Sequence, residues 1–183
     1  MIRTPRLELR LPAAEDVPQV VRFYAENREH LTPWSPAWPA NFFTEEFWQD
    51  QVEQRAQELQ AGLGARLFVF KLSDPALVIG NVSLTQVVRG PLQQCVLGYG
   101  LAAGEQGHGY MLEAVLGAVR YAFDELRLHR VEASHMPANE RSASLLRKAG
   151  FVTEGRAHAY LLINGRWEDH VTTALVNSNW SAD

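Results

Sequence analysis

The stretch CVLGYGLAAGEQGHGYMLEAVLGAVRYAF, residues 95–123, joins a strand pattern directly to a helix pattern through a glycine-rich loop. Alternate residues of the strand are apolar and share one predicted face: Cys95, Leu97, Tyr99 and Leu101. Gly98 and Gly100 occupy the other face, which we expect to be bare of side chains. After the loop, apolar residues recur at the helical period: Leu112, Val115, Leu116, Val119, Phe123 and Leu126. A strand therefore ends at a loop that opens an amphipathic helix.

The loop EQGHGY, residues 105–110, has the composition of an anion site. Glycines allow a tight turn and let a ligand approach the backbone, and free N–H groups at a helix start attract phosphate or pyrophosphate. No Lys-Ser or Lys-Thr follows the glycines, so the loop is not a P-loop. A plain strand–helix turn remains an alternative. Beside such a loop, the bare strand is suited to hydrogen-bonding an extended ligand arm through its main chain.

The patterns on either side predict the rest of the fold. In chain order they indicate a strand at 4–11, a helix at 15–28, a helix at 44–61, strands at 66–72 and 78–88, a strand at 130–136, a helix at 139–149, and a hairpin of 151–163 with 166–176. Asn164-Gly165 is a strong signal for the tight turn of that hairpin. The order predicts an α/β (α+β) protein with one largely antiparallel, mixed sheet flanked by helices.

Composition narrows the class of protein. The chain has 183 residues, 46% apolar and 21% charged, with no repeat or linker, which predicts a single domain over residues 1–183. Cys95 is the only cysteine, so no disulfide scaffold is expected. The net charge of −4 argues against nucleic-acid binding through a broad basic field. The sequence shows neither a signal-peptide pattern nor an apolar run of about 20 residues. We therefore expect a cytoplasmic protein that does not associate with a membrane.

Two further segments contain candidate functional residues. Residues 31–43 include three prolines with Trp34 and Trp38, which predicts a loop that is a lid packed on the body, a wall of a binding site, or both. In residues 136–142, Pro137 ends a strand and Asn139 starts a helix, either as a simple N-cap or beside a ligand arm with Ser142. The basic residues of that helix are either a solvated face, which we favour, or groups that attract a ligand phosphate; they are Arg141, Arg147 and Lys148. The histidines and Cys95 lack metal-ligand spacing.

These residues resemble a known family. Gln106-Gly107-His108-Gly109 is similar to the acyl-CoA pyrophosphate motif Gln/Arg-x-x-Gly-x-Gly/Ala of the GNAT N-acetyltransferases, although Met111 stands where Gly or Ala is usual. The likeness covers nearly the whole chain and is greatest to the members that acetylate the N-terminal alanine of a ribosomal protein. Further matching segments are Thr4-x-Arg6-Leu7, Pro33-Trp34, Met136-Pro137-x-Asn139, Gly150-Phe151 and Gly165-x-Trp167.

The resemblance implies a GNAT fold, in which the sheet is splayed open around acetyl-CoA. It implies that the pyrophosphate binds to backbone amides of Gln106, Gly107, His108, Gly109, Tyr110 and Met111. The pantetheine arm is expected along the backbone of Leu97, Tyr99 and Leu101, with Asn139 and Ser142 beside it. Trp34, Trp38 and Tyr160 are expected to bind the acceptor. No metal is implied, and the acetyl group passes directly to the amine.

The catalytic residues are less well indicated than the acyl-CoA motif. Ser142 is the candidate proton donor to the leaving thiolate, and Glu154 is the candidate base. Relatives often have an acidic residue just before the tyrosine at position 160, where this chain has Ala159. His158, Asp169 and His170 are the other titratable groups nearby, and each is equally compatible with a structural role.

The resulting hypothesis is an acetyl-CoA-dependent N-acetyltransferase acting on a protein N-terminal α-amine. By resemblance, the acceptor is the N-terminal alanine of a small-subunit ribosomal protein. One alternative is a GNAT acetyltransferase of a small-molecule amine. The other is a non-catalytic CoA-binding or ribosome-associated factor, which Ala159 makes plausible. The protein is expected to be a monomer or homodimer with no direct DNA binding.

Overall fold

The computed structural model of the protein describes residues 1–182. Eight strands and five α-helices lie within that range. In chain order they are β1 (Ile2–Arg3), β2 (Leu7–Arg10), α1 (Val17–Glu26), α2 (Arg28–Leu31), α3 (Glu45–Gln60), β3 (Ala65–Lys71), β4 (Asp74–Val88), β5 (Gln94–Leu101), α4 (Tyr110–Asp124), β6 (Arg130–His135), α5 (Glu140–Lys148), β7 (Val152–Ile163) and β8 (Arg166–Val176). The predicted elements are present in the predicted order, with two additions: β1 precedes the first predicted strand, and the short helix α2 lies between the first two predicted helices.

All eight strands form one sheet in the order β1-β2-β3-β4-β5-β6-β8-β7. Every neighbouring pair is antiparallel except β5 and β6, which run parallel. A parallel neighbour requires a crossover connection, and α4 provides it. The predicted mixed, mostly antiparallel sheet is therefore confirmed.

The sheet opens between β5 and β6. These two strands pair only over their first three residues, from Gln94 with Arg130 to Val96 with Glu132. Beyond that point β5 stays paired with β4 as far as Leu101, whereas β6 stays paired with β8 as far as His135. Residues 97–101 thus have a backbone edge with no strand beside it, and the two halves of the sheet form the sides of a V.

Two apolar cores lie on opposite faces of this sheet. On one face α4 and α5 cover buried residues of the central strands, among them Leu67, Val69, Cys95, Leu97 and Val131. On the other face, aromatic residues of β3 pack against α1 and α3; this core includes Phe68, Phe70, Val20, Phe23 and Trp48. Helices therefore pack on both faces of the sheet, and the opening between β5 and β6 lies between these two layers of helices.

Helix α4 packs through a different stripe from the one predicted. Val115 and Val119 are buried, but Leu116 is 41% exposed. The centre of the packed face consists of small residues: Ala114, Gly117, Ala118 and Ala122. Small side chains on this face let the helix approach the sheet closely. The orientation of the helix on the sheet, and not the size of a side chain, therefore decides which residues of α4 are buried. No helix within residues 1–182, α4 included, is long and apolar enough to cross a bilayer.

The predicted strand at 4–11 is instead a narrow hairpin. Ile2 pairs with Leu9 and Arg3 with Glu8, and the turn between β1 and β2 is closed by a hydrogen bond from the Thr4 amide to the Leu7 carbonyl, 2.9 Å. Pro5 cannot donate a ladder hydrogen bond, which favours a turn at this point. The turn lies over α4, since a Cβ added at Gly117 would come within 2.9 Å of Thr4 Cγ2.

The predicted hairpin at Asn164-Gly165 is confirmed. Asn164 and Gly165 have φ angles of +44° and +82°, as a two-residue turn of type I′ requires. The tip also contacts the proline-rich loop, because the Asn164 amide donates to the Ser35 carbonyl at 3.0 Å. The tip of the β7–β8 hairpin is therefore hydrogen-bonded to the loop at 31–43.

Asp16 stabilises the start of α1, and we expect Asp16→Asn to lower the free energy of unfolding at pH 7 by about 2–3 kcal/mol. Asp16 accepts both Arg10 guanidinium nitrogens and the Ala13 amide. Burial alone would raise the pKa of Asp16, but these hydrogen bonds outweigh burial and lower it. A carboxylate with a lowered pKa stabilises the fold above its unfolded pKa of about 3.9, and the contribution disappears as the pH falls through the folded pKa.

Urea unfolding at pH 7 and pH 3 tests this expectation. The difference between wild type and Asp16→Asn should be large at pH 7 and much smaller at pH 3. Asp50→Asn, on the exposed side of α3, is the matched control and should change stability by less than about 0.5 kcal/mol. A difference that stays constant with pH would show that the Asp16 charge does not stabilise the fold.

Candidate active site

The glycine loop lies at the start of α4 and has the geometry of an anion site. Gly107 and Gly109 have φ angles of +81° and +77°, which glycine adopts without strain. Gly109 is the N-cap residue of α4, and no side chain caps the helix there. The first amides of an α-helix have no partner within the helix, and they lie at the positive end of its dipole. The loop is therefore suited to hold a phosphate group.

Arg6 holds this loop from outside, a role that the sequence did not indicate. Its guanidinium donates to the His108 carbonyl at 3.0 Å and to Glu113 at 2.6 Å, and it lies 4.6 Å from the centre of the Tyr110 ring. Lys71 pairs with Glu105 at 2.6 Å, and its ammonium group lies 5.9 Å from the centre of the same ring. Each cation is paired with a carboxylate, so the two ion pairs fix the position of the loop and add no net charge to it.

Gln106 links the two sides of the opening. Its side-chain nitrogen, Nε2, donates to Nε2 of His30 at 3.0 Å, and its side-chain oxygen, Oε1, accepts from the Arg141 guanidinium at 2.5 Å. His30 belongs to α2, whereas Arg141 belongs to α5. Arg141 is exposed, as the predicted solvated face requires, and its guanidinium also reaches the loop through this hydrogen bond.

The strand that runs into this loop has its free side at an edge rather than on a face. A Cβ at Gly98 would lie 2.9 Å from Ser83 Oγ, and one at Gly100 would lie 3.2 Å from Asn81 Nδ2. Side chains of β4 therefore cover the glycine face, and the expectation of a bare face is wrong. Glycine is needed here to admit Ser83 and Asn81. The backbone edge of residues 97–101, facing the opening, is the part left for a ligand arm.

Across the opening, Tyr99 meets the first turn of α5. The Tyr99 hydroxyl lies 2.7 Å from Ser142 Oγ. Asn139 is the N-cap of α5, and its side-chain oxygen accepts from the Ser142 amide at 3.1 Å. Burial raises the pKa of Tyr99 to about 12, so its hydroxyl stays protonated at neutral pH. The structure thus brings Tyr99 of β5 together with Asn139 and Ser142 at the start of α5, across the opening.

Glu154 lies elsewhere. Its carboxylate forms a two-point ion pair with Arg130, with one contact at 2.9 Å. Arg130 is the first residue of β6, at the end where β5 and β6 are still paired. The Arg130 hydrogen bond lowers the pKa of Glu154, which makes it a weaker base. The residue that the sequence suggested as the base is therefore engaged in a structural ion pair and is not brought to Ser142.

The region around Ala159 forms a bulge in β7. Pairing with β8 is regular from Gly155 with Thr172 to Ala157 with His170, and it resumes at Leu161 with Glu168. Ala159 has a φ of +45°, and the Asp169 carboxylate accepts its amide at 2.8 Å. The hydrogen bond from the Ala159 amide, and after it the contacts to Arg156 and His158, lower the pKa of Asp169. The Asp169 carboxylate thus lies beside the backbone of position 159, although the residue there is alanine. Sequence spacing alone cannot reveal this contact.

The three predicted acceptor-binding residues have different surroundings. Trp38 is packed on the body: its ring stacks on Phe42 with centroids 5.0 Å apart and meets Tyr24 edge-on. Trp34 is 40% exposed and Tyr160 is 45% exposed. Trp38 therefore fixes the proline-rich loop, while Trp34 and Tyr160 present aromatic surface to solvent.

Other reactive groups play no evident part in this site. Cys95 is fully buried, and burial raises the pKa of its thiol to about 12, so it is a packed thiol as predicted. His170, also buried, donates from Nδ1 to the Glu168 carbonyl at 3.0 Å. In the described residues, 1–182, no group of three or more His, Cys, Asp or Glu side chains is arranged to hold a metal ion.

Comparisons with known proteins agree with this geometry. Residues 6–152 match the family of acetyltransferase (GNAT) domains. Over 182 residues the chain is 38% identical to the ribosomal protein uS5-alanine N-acetyltransferase of Escherichia coli K12, covering 98% of this chain and 92% of that protein. The crystal structure of ribosomal-protein-S5-alanine acetyltransferase from Vibrio fischeri superposes with a TM-score of 0.91 at 35% identity, covering 98% and 97% of the two chains.

A third relative has the cofactor bound. Mycobacterium smegmatis RimJ, in complex with CoA-disulfide, superposes with a TM-score of 0.87 at 25% identity, covering 96% of this chain and 85% of that one. The family match spans the strands β2 to β6, the glycine loop and α5. On this evidence the chain belongs to the GNAT acetyltransferase family.

Proposed function

We propose that the protein transfers the acetyl group of acetyl-CoA to the N-terminal α-amine of a protein, and that its acceptor is the N-terminal alanine of ribosomal protein uS5. The two relatives named for that reaction match at 38% and 35% identity over nearly their full lengths. Because its substrate would be a ribosomal protein, the protein would act in the cytoplasm.

The observation that carries this proposal is the alignment of three features along one opening. The uncapped start of α4 would hold the pyrophosphate through the amides of residues 106–111. The free edge of residues 97–101 would bind the pantetheine arm, as an added strand does. Ser142 and Tyr99 lie at the β5–α5 side of the same opening. An extended ligand with an anionic end and a reactive thioester fits this order.

The chemistry of the acceptor favours an α-amine. An amine must be neutral to attack, and the pKa of a chain α-amino group is about 7.7–8.0 compared with about 10.4 for lysine. At pH 7 deprotonation costs roughly 1 kcal/mol for the α-amine and more than about 4 kcal/mol for lysine. An α-amine therefore reacts with only a weak base or water to accept its proton. This fits a site in which Glu154 is paired with Arg130.

The acceptor would approach from the face opposite α4 and α5. Those helices cover one face of the opened sheet, whereas α1 and α3 pack over β3 on the other, so the thioester carbon would be reached from that other face, beside α1 and α3. Trp34 and Tyr160 are exposed, and the hydrogen bond from Asn164 to Ser35 joins their segments. We propose that these two aromatic rings contact the incoming chain, whereas Trp38 acts only through the position of the loop.

Mass spectrometry of an alanine-headed, uS5-like peptide with acetyl-CoA tests the function. The peptide contains one lysine, and a second copy with a blocked N-terminus is the matched control. One acetyl group on the free terminus and none on the blocked peptide is the expected result. If neither peptide is modified while acetyl-CoA still raises the melting temperature, the acceptor is a small amine or the protein is a non-catalytic binder.

A further inference from the structure

Tyr99 and Ser142 come from opposite sides of the opening and meet through their hydroxyl groups. Tyr99 belongs to the part of β5 that is paired with β4 but no longer with β6, and Ser142 belongs to the first turn of α5. Their oxygens lie 2.7 Å apart, which is a normal O–H···O hydrogen bond. Packing alone requires only the Tyr99 ring, so the hydroxyl at this position calls for a chemical explanation.

We propose that Tyr99 is a positioning residue that donates its hydroxyl proton to Ser142 Oγ, so that the Ser142 proton is directed to the leaving sulfur. This inference rests on the proposed acetyl transfer. A hydroxyl has one proton to donate. If Ser142 used it on Tyr99, none would be left for sulfur. Either oxygen can donate in the observed bond, and the proposal makes Tyr99 the donor, which leaves the serine proton free to point into the opening.

The reaction step balances as follows. The neutral amine forms a C–N bond with the thioester carbon, the C–S bond breaks, and its electron pair stays on sulfur. Ser142 gives its proton to that sulfur and takes the phenolic proton of Tyr99. The phenolate then regains a proton from water, which has received the one released by the amine. The net result is an amide and a free CoA thiol, with both hydroxyls restored.

The tyrosine makes the serine a better donor. A serine that lost its proton alone would become an alkoxide, a far stronger base than a phenolate, so the transfer would be costly. Linked hydroxyl groups polarise one another in a partly buried site and share the developing charge. Because burial keeps the Tyr99 hydroxyl protonated at neutral pH, the donor remains available throughout turnover.

A double-mutant cycle of Tyr99→Phe and Ser142→Ala tests the inference. The readout is release of CoA thiol, measured with the acceptor peptide and with water as the only acceptor. Tyr99→Phe keeps the ring and should lower kcat about tenfold, while KM for acetyl-CoA changes less than about twofold. Ser142→Ala should lower kcat about 100-fold. The double variant should be no slower than Ser142→Ala, because Tyr99 acts through Ser142.

Tyr121→Phe, at a half-buried tyrosine of α4, is the matched control and should leave kcat unchanged. A Tyr99→Phe variant with normal kcat, or one that alters only KM, would overturn the inference. So would independent losses that multiply in the double variant. If mass spectrometry finds no acetylated peptide while thiol release to water still follows the cycle, the proposed acceptor fails and the hydroxyl pair stands. No thiol release under either condition would overturn both proposals.

Discussion

Gly109→Val is expected to raise the KM for acetyl-CoA about 10- to 100-fold, with a smaller effect on kcat. Gly109 has a φ of +77°, a conformation that β-branched residues rarely adopt, so the substitution distorts the turn before α4. The valine side chain would also press on Arg6, whose guanidinium lies 3.6 Å from an added Cβ, and so would disturb the contact that holds the loop. A tenfold change corresponds to about 1.4 kcal/mol of lost binding free energy.

Backbone strain by itself must be separated from the loss of the anion site. Gly90 also has a positive φ, +69°, and nothing lies within 4 Å of its added Cβ. It lies in the β4–β5 connection, so Gly90→Val introduces the same kind of strain away from the proposed site. Steady-state kinetics and thermal shift with CoA should show an altered response only for Gly109→Val. Normal saturation of that variant would disprove the assignment of the loop.

Ser142→Ala is expected to lower kcat about 100-fold while KM for acetyl-CoA stays within about twofold. A positioned acid typically contributes at least about 10²-fold to the rate, and removing it affects the transition state rather than substrate binding. The α5 cap should survive, because Asn139 accepts the Ser142 backbone amide and not its hydroxyl. Helix stability is therefore not expected to confuse the kinetic result.

Ser144→Ala is the matched control, since it makes the same change in the same helix. It should leave kcat and KM unchanged. The measurement is the initial rate at saturating acetyl-CoA and peptide for both variants, with melting temperatures recorded alongside. A normal kcat for Ser142→Ala would reduce this residue to a structural role and would remove the basis for a Tyr99–Ser142 pair.

Local patterns were sufficient for the loop, the hairpin and most of the order of elements along the chain. Glycines at 107 and 109, the Asn164-Gly165 turn and the alternation of residues 95–101 reflect backbone preferences that act within a few residues. The same kind of reasoning was wrong about which face of α4 is buried, because Leu116 is as apolar as its buried neighbours. Only the angle at which the helix meets the sheet separates them.

The chemical partners of the site residues depended on contacts far apart in the chain. Arg141 reaches Gln106 across 35 positions, and Tyr99 reaches Ser142 across 43. The sequence could propose Glu154 as a base, but its ion pair with Arg130 follows from the order β6-β8-β7. Likewise Asp169 meets the amide of Ala159 only because of a bulge in β7.

The sequence by itself therefore determined the fold, the acyl-CoA motif and the class of reaction, because turns, caps and periodicity are local and a motif can be compared residue by residue. Tertiary structure alone decided where β5 and β6 separate, which hydroxyls meet across the opening and which carboxylate is already paired. Those outcomes depend on sheet order and helix placement, which sum many weak long-range contacts that no short segment records.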